Sequence, residues 1–330
     1  MKTKITVLTL CAMLFALCVS GAQQPTKIPR IGYLTAGTRS LNSPRVEAFR
    51  QSLRDLGYVE GKNIIIELRN AEGKFDRLPA LAAELVRLKV DVIVAGGPPS
   101  AGAAKAATST IPIVMMQVGD PVGSGFVASL ARPGGNITGL SGLAPELSGK
   151  RLELLKEVLP KLSRVAVFGT STSPDNAQSL KEVELAAREL KVQIQYLDIR
   201  DARDPKDVET AFRAATKGRA EAVLMMVAPA IANAHRAQIA DFAVKSRLPV
   251  IYAQPGIVEA GGLMTYAVNQ NELDRRAAVY VDKILKGAKP GDLPVEQPTK
   301  FEFIINLKAA KQIGLTIPPN VLARADRVIK

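Results

Sequence analysis

Cysteine is nearly absent from this chain of 330 residues, and its two cysteines, Cys11 and Cys18, both lie near the amino terminus. They fall within a segment that we predict to be removed, so the mature protein would have no disulfide bond, thiolate nucleophile or cysteine metal site. Histidine occurs once, as His235, and tryptophan does not occur. Metal centres need clusters of histidine, cysteine or carboxylate ligands. The sequence offers no such cluster, so we expect neither a metal ion nor another cofactor.

Catalytic motifs are also missing. The sequence has no Gly-x-Ser-x-Gly nucleophile elbow, and neither glycine fingerprint of nucleotide-binding folds follows any strand that we predict. A Ser-His-Asp triad would have to use His235, which lies in a predicted helical stretch with no partner motif around it. We therefore expect no catalytic residues, although an exported α/β hydrolase stays open as an alternative.

The first 22 residues have the three parts of a secretory signal. Lys2 and Lys4 give a positive start, Ile5 to Val19 is mostly apolar, and Ser20-Gly21-Ala22 supplies the small residues that signal peptidase recognises. We predict cleavage before Gln23 and export to the periplasm or an equivalent compartment. A retained membrane anchor is the alternative, but the apolar run is shorter than the roughly 20 residues that a spanning helix needs.

Basic residues outnumber acidic ones, and the formal net charge is +13. Such a balance can indicate nucleic-acid binding. Here, however, lysine and arginine are scattered along predicted helices among aspartate and glutamate, as in Arg45-Val46-Glu47. We interpret the charge as a solvated surface and expect no nucleic-acid partner.

Short apolar runs alternate with segments of helical periodicity along most of the chain. The first run is Ile31 to Leu34, and Ser43 with Pro44 is then typical of a helix cap followed by the first helical residue. Strands that are apolar throughout and alternate with helices predict parallel sheets covered on both faces. The predicted fold class is α/β, with doubly wound parallel sheets.

The alternation pauses at Ala131 to Asn136 and restarts at about Leu147, which predicts two lobes. A tail that follows the second lobe is what a chain crossing between lobes more than once would show. We assign residues 1–22 to the signal peptide, 23–140 to lobe 1, 141–267 to lobe 2, and 268–330 to a crossover and carboxyl-terminal segment that returns in part to lobe 1.

Open parallel sheets bind ligands at the carboxyl ends of their strands, so the loops there supply the candidate ligand-binding residues. The lobe 1 candidates are Thr35, Gly37, Thr38, Gly97, Ser100 and Asp120. The stretch from Gly96 to Ser100 opens a helix, whose free N–H groups and dipole suit a carboxylate, or it is an ordinary turn. Asp120 either pairs with a ligand ammonium group or caps the next turn.

The lobe 2 candidates are Ser171, Thr172, Asn176, Pro229, Tyr252 and Gln254. The loop from Gly169 to Asn176 combines hydroxyl donors with a helix start, which suits a carboxylate. Plain helix capping is the alternative interpretation of the same residues.

Several longer motifs are typical of one family. They include Leu56-Gly57-Tyr58-Val59-Glu60-Gly61, Gly119-Asp120-Pro121-Val122, Lys150-Arg151-Leu152-Glu153-Leu154-Leu155 and Gln297-Pro298-Thr299-Lys300-Phe301-Glu302. From about Pro29 to its end, the chain resembles ABC-transporter substrate-binding proteins whose characterised members include tryptophan- and tyrosine-type binders. The resemblance implies a type I periplasmic-binding fold with a ligand cleft between two lobes joined by several crossovers. It also implies that Asp120 and the loop from Thr170 to Asn176 face that cleft.

The expected function is therefore the extracytoplasmic solute-binding component of an ABC importer. The protein would bind an amino acid or a small carboxylate-like molecule, act as a monomer, and meet the membrane only through its cognate permease. Besides the exported hydrolase, a ligand-sensing regulator on the same scaffold is a third possibility. A regulator would need a DNA-binding or signalling segment, and only the signal peptide precedes the first strand.

Overall fold

The computed structural model describes residues 27–37, 39–171, 176–199, 205–227, 232 and 235–330. The predicted signal peptide lies outside these described residues. Within them, no helix is both long and apolar enough to cross a membrane.

Lobe 1 is built on a parallel sheet with the strand order β2-β1-β3-β4-β5, as far as the described residues go. In chain order the strands are β1 Arg30–Thr35, β2 Ile65–Asn70, β3 Val92–Gly96, β4 Ile113–Val118 and β5 Ile137–Ser141. The helices between them are α1 Arg39–Asp55, α2 Leu78–Arg87 and α3 Pro98–Ala107. Apolar side chains are buried on both faces of this sheet, against α1 on one face and against α2 and α3 on the other. This burial explains why its central strands are apolar at nearly every position.

Lobe 2 is built on a second sheet, whose described strands have the order β12-β11-β10-β9-β8-β6-β7. These strands are β6 Arg164–Gly169, β7 Gln193–Asp198, β8 Ala222–Met225, β9 Val250–Tyr252, β10 Met264–Val268, β11 Phe301–Asn306 and β12 Arg327–Ile329. The helices of this lobe are α4 Ala144–Val158, α5 Asn176–Leu190, α6 Pro205–Lys217, α7 Arg236–Lys245, α8 Pro255–Glu259, α10 Leu307–Gln312 and α11 Pro319–Leu322, while α9 Gln270–Leu285, which lies between β10 and β11 in the chain, packs on lobe 1. Two doubly wound sheets are what the sequence predicts for the fold class.

Two local features differ from the sequence prediction. Helix α1 begins at Arg39 and contains Pro44, whereas the sequence places Pro44 at its start. The proline removes one backbone hydrogen bond, but the face of Val46, Phe49 and Leu53 is fully buried and holds the helix on the sheet. Strand β10 was not predicted, because a short apolar run after two glycines does not by itself distinguish a strand from a turn.

The described chain passes between the two sheets three times. It leaves β5 at Ser141 and enters α4 on the second sheet. It leaves β10 at Val268 and enters α9, which packs against α1 and the core of the first sheet. The third passage runs beside β5, where Leu140 bridges to Glu296, and then enters β11.

Strand β11 is antiparallel to β10, with Met264 opposite Ile305 and Val268 opposite Phe301. Its direction follows from the third crossing. A chain that arrives beside the carboxyl end of β10 can join that sheet only by running in the opposite direction. The second sheet is therefore mixed, although parallel pairs dominate it.

Side chains tie the crossings to one another. The Asn269 side chain caps α9 by accepting a hydrogen bond from the backbone N–H of Glu272, and its amide donates to Glu302 at 2.5 Å. Arg276 on α9 makes a two-pronged ion pair with Glu296, at 2.9 and 2.6 Å. The second and third crossings are thus linked on the same side of the molecule.

A buried ion pair fastens α9 to lobe 1. The guanidinium of Arg45 on α1 donates to both carboxylate oxygens of Asp274, at 2.9 and 3.0 Å. Asp274 is fully buried, and the Arg45 side chain is 16% exposed. Burial raises the pKa of Asp274, and the positive charge of Arg45 acts in the opposite direction. The pair therefore depends on the presence of both partners.

Replacing Asp274 by alanine should lower the free energy of unfolding by about 3–5 kcal/mol, because it leaves Arg45 partly buried without a counter-ion. Urea denaturation followed by circular dichroism measures this loss. The control is Glu153→Ala, which breaks the exposed pair with Lys150 and should cost less than about 1 kcal/mol. Equal losses in the two variants would contradict this account of α9.

Candidate functional site

The carboxyl ends of the lobe 1 strands form one row of residues. In the strand register Thr35 lies opposite Asn70 on one side and Gly96 on the other, and Gly96 lies opposite Met116. Thr35 is buried, and its hydroxyl accepts a hydrogen bond from the backbone N–H of Gly37 at 3.3 Å. The sequence analysis did not single out Asn70, whose Oδ1 is buried and accepts no hydrogen bond within the described residues.

Helix α3 begins at this edge. Gly97 precedes it with φ +94°, a left-handed conformation that favours glycine, and its N–H donates to the carbonyl of Met116 at 3.0 Å. Pro98 and Pro99 then occupy the first two positions and have no N–H to offer. The first turn therefore has fewer free donors for an anion than the sequence analysis expected.

Ser100 is the third residue of α3 and is fully buried. Its Oγ has no hydrogen-bond partner within the described residues. Leaving a buried hydroxyl without a partner costs roughly 1–3 kcal/mol, so such a group in a native structure calls for an explanation.

Asp120 follows β4 and shapes the next turn. Its Oδ1 accepts a hydrogen bond from the backbone N–H of Gly123 at 2.8 Å, and its carbonyl accepts one from Ser124 at 3.0 Å. A Cβ at position 123 would lie 2.0 Å from Asp120 Oδ2, so a side chain there would displace the Asp120 carboxylate. The capping interaction that the sequence left open is therefore present, and contact with a ligand stays a prediction.

The candidates after β6 bond to their own lobe. The backbone N–H and the hydroxyl of Ser171 both donate to the carboxylate of Asp198, at 2.8 and 2.7 Å. Asn176 accepts a hydrogen bond from the N–H of Thr170 at 3.1 Å and donates to the hydroxyl of Tyr196 at 3.0 Å. These bonds hold the two ends of the loop between β6 and α5. Thr38, Thr172 and Pro229 lie outside the described residues.

Tyr252 and Gln254 follow one another closely but have different surroundings. The Tyr252 ring is buried in the lobe 2 core against Gly262 and Ile257, and burial raises the pKa of its hydroxyl. Gln254 immediately precedes α8 and is 6% exposed. Its Oε1 is buried without a partner among the described residues. Tyr252 is the last residue of β9, and Gln254 lies two residues beyond the strand, at the start of α8.

Three side chains with unpaired buried oxygen atoms thus lie at carboxyl ends of strands or just beyond them: Asn70, Ser100 and Gln254. The hydroxyl of Tyr252 and the Oε1 of Gln195 are also unpaired, but Tyr252 points into a core and Gln195 packs against Gly218. Buried polar groups are normally satisfied by protein, water or a ligand. The three neutral groups at the strand ends are therefore suited to hydrogen bonding with a small polar molecule.

Arg151 is a further buried polar residue that the sequence analysis did not propose as a site residue. It lies on α4, and its Nε donates to the carbonyl of Tyr266 on β10 at 2.8 Å. Burial lowers its pKa to about 10. The bond joins the helix that follows the first crossing to the strand that precedes the second.

A surface hollow and the histidine are separate from the three unpaired groups at the strand ends. A hollow of about 430 Å³ lies beside α10 and α11, lined mainly by apolar residues such as Leu307, Leu315 and Ile317. It follows the end of antiparallel β11, which is at the opposite edge of the sheet from Gln254. His235 Nδ1 lies 3.0 Å from Gln238 Oε1. Among the described residues, no group of three or more His, Cys, Asp or Glu residues could hold a metal ion.

Similar proteins are known over most of the length of this chain. The tyrosine-binding protein of Clostridioides difficile is 29% identical to this chain over 269 residues, which are 82% of this chain and 76% of that protein. A crystal structure of a conserved domain protein from Vibrio cholerae is 31% identical, covers 92% of this chain and 100% of its own, and superposes with a TM-score of 0.81.

The ABC domain of Streptococcus pneumoniae in complex with L-Trp is 24% identical, with 91% of this chain and 99% of that chain covered and a TM-score of 0.83. This likeness concerns the fold. Residues 41–329 match the family model of the ABC transporter substrate binding proteins. This span includes most of both sheets and all three crossings. The chain therefore belongs to the ABC transporter substrate binding protein family.

Proposed function

We propose that this protein is the exported solute-binding component of an ABC importer, and that it holds an amino acid or a small carboxylate in a cleft between its lobes. The observation that carries the proposal is the placement of unpaired buried side chains at strand ends in both lobes, Asn70 and Ser100 in one and Gln254 in the other. A ligand that touched all three would satisfy them at once. Family membership confirms the expectation of a binding protein rather than an enzyme.

The crossings support a cleft at this position. Strand β5 ends at Ser141 and β10 ends at Val268, and in both cases the next helix packs on the other lobe. The carboxyl end of each strand is therefore close to the opposite lobe. Since the parallel strands of a sheet end at a common edge, the carboxyl edges of the two sheets face one another in this proposal. Ligands of open α/β sheets bind at such edges.

Two relatives support an amino acid as the ligand, namely a tyrosine-binding protein and a structure in complex with L-Trp. The neutral groups at the strand ends suit a molecule that carries both donors and acceptors, as the ammonium and carboxylate of an amino acid do. The predicted signal peptide and the family support export and a permease partner. The lobes would close on the ligand, and the closed form would be the one that the permease receives.

The first test is binding itself. Isothermal titration calorimetry of the mature protein against the amino acids and a set of small carboxylates should identify a ligand. At 100 times its dissociation constant, that ligand should stabilise the protein by about 2.7 kcal/mol. Small-angle scattering should show a smaller radius of gyration with the ligand than without it. Absence of both heat and compaction with every compound would refute the proposal.

The second test uses the buried hydroxyl of Ser100. In Ser100→Ala, the ligand-free protein should gain about 1 kcal/mol of stability, because an unpaired buried group is removed. The same variant should bind the ligand about tenfold more weakly, because one hydrogen bond to it is lost. Thermal denaturation and calorimetry measure the two effects.

The matched control is Ser148→Ala on α4. Ser148 is also buried, but its hydroxyl already donates to the carbonyl of Ala144 at 2.7 Å. This variant should not gain stability from the removal of an unpaired group and should keep its ligand affinity. If Ser100→Ala binds the ligand as tightly as the wild type does, Ser100 is not part of the site.

A further inference from the structure

Strand β4 contains one residue more than the stretch of β5 with which it pairs. Met115 lies opposite Gly139 and Val118 lies opposite Ser141, so three steps along β4 match two along β5. An extra residue of this kind is a β-bulge. Gln117 lies within it at φ +58°, in the left-handed region that residues other than glycine rarely adopt.

The bulge changes which way the side chains of β4 point. Val114 and Met116 pack in the core on the α1 face, while Ile113 and Met115 pack in the core on the α2 and α3 face. Regular alternation would place residue 117 on the second of these faces. Val118 takes that position instead. The bulge thus takes residue 117 out of the regular alternation, near the carboxyl end of β4.

Neighbouring glycines make this conformation possible. A Cβ at Gly139 would lie 2.1 Å from the carbonyl oxygen of Met115, and a Cβ at Gly142 would lie 3.2 Å from the carbonyl carbon and oxygen of Gln117. Gly139 itself has φ +134°. The two strands can approach in this way only because residue 139 lacks a side chain, and the backbone of Gln117 leaves little room for one at Gly142.

Gln117 is half-buried. It is next to the candidate site, since the N–H of Gly97 donates to the carbonyl of Met116 and α3 with Ser100 starts there. It is also next to the first crossing, since the N–H of Gly142 donates to the carbonyl of Val118 at 2.8 Å. A strained backbone at such a junction is typical of ligand clamps.

We infer that Gln117 is a specificity-determining residue of the ligand site and that its amide binds the polar head group of the ligand. The inference rests on the proposed function. A primary amide offers a donor and an acceptor side by side, which matches a head group that carries both, such as the ammonium and carboxylate of an amino acid. The Ser100 hydroxyl, at the start of the adjoining helix α3, would make a further hydrogen bond to the same head group.

Gln117→Gly tests this inference because glycine removes the side chain while it relieves the left-handed strain. The variant should be at least as stable as the wild type in thermal denaturation. It should bind the amino acid identified by calorimetry about tenfold more weakly, as expected for one lost hydrogen bond of ordinary strength. Gln117→Asn retains an amide and tolerates φ above zero, so it should recover part of that affinity.

Lys191→Gly is the matched control. Lys191 has φ +55° and lies between α5 and β7. It is therefore at the amino-terminal edge of its sheet, opposite the carboxyl ends of the parallel strands. This change relieves the same kind of strain and should leave ligand affinity unchanged.

The test of specificity compares the dissociation constant of the amino acid with that of the same molecule without its amino group. Wild-type protein should prefer the amino acid, and Gln117→Gly should lose about tenfold of that preference. An unchanged dissociation constant and an unchanged preference in Gln117→Gly would overturn the inference and leave the proposed function standing. A wild-type protein that binds no compound would overturn both.

Discussion

The position of the three chain crossings is the constraint on which the rest of the structure depends. Two of them leave a sheet at the carboxyl end of a strand, after Ser141 and after Val268, and the helix that follows each packs on the other lobe. The third enters β11 from the same side, which is why that strand runs antiparallel to β10. The crossings are tied together by Asn269 and Glu296. One arrangement of the backbone therefore accounts for the mixed sheet and for the proposed cleft.

Stability and binding rest on different parts of this fold. The strand interiors are apolar and buried on both faces, and the Arg45–Asp274 pair holds α9 on lobe 1. The strand ends instead carry Ser100 and Gln254 with buried unpaired atoms, and Gln117 with a strained backbone. Each of these features costs of the order of 1–3 kcal/mol in the ligand-free protein. A ligand that forms hydrogen bonds with these residues would offset part of that cost, and its affinity would increase accordingly.

The sequence predicted much of the architecture, because strand–helix alternation depends on local periodicity. Helix α5 has the predicted bounds, Asn176–Leu190. The sequence predicted the site less well, because aspartate, serine and asparagine stabilise loops and turns as well as bind ligands, and Ser171 and Asn176 make hydrogen bonds to Asp198 and Thr170 of their own lobe. Gln117 escaped prediction for another reason. The bulge at Gln117 depends on the register with β5 and on the absence of a side chain at Gly139, and neither can be recognised within β4 alone.

A crystal structure of the protein with its ligand tests the central claim most directly. The account predicts ligand density between the carboxyl ends of the lobe 1 strands and the start of α8, within hydrogen-bonding distance of Asn70, Ser100, Gln117 and Gln254, with side chains from both lobes in contact with it. Density in the hollow beside α10 and α11 would contradict it, as would a ligand held by one lobe alone.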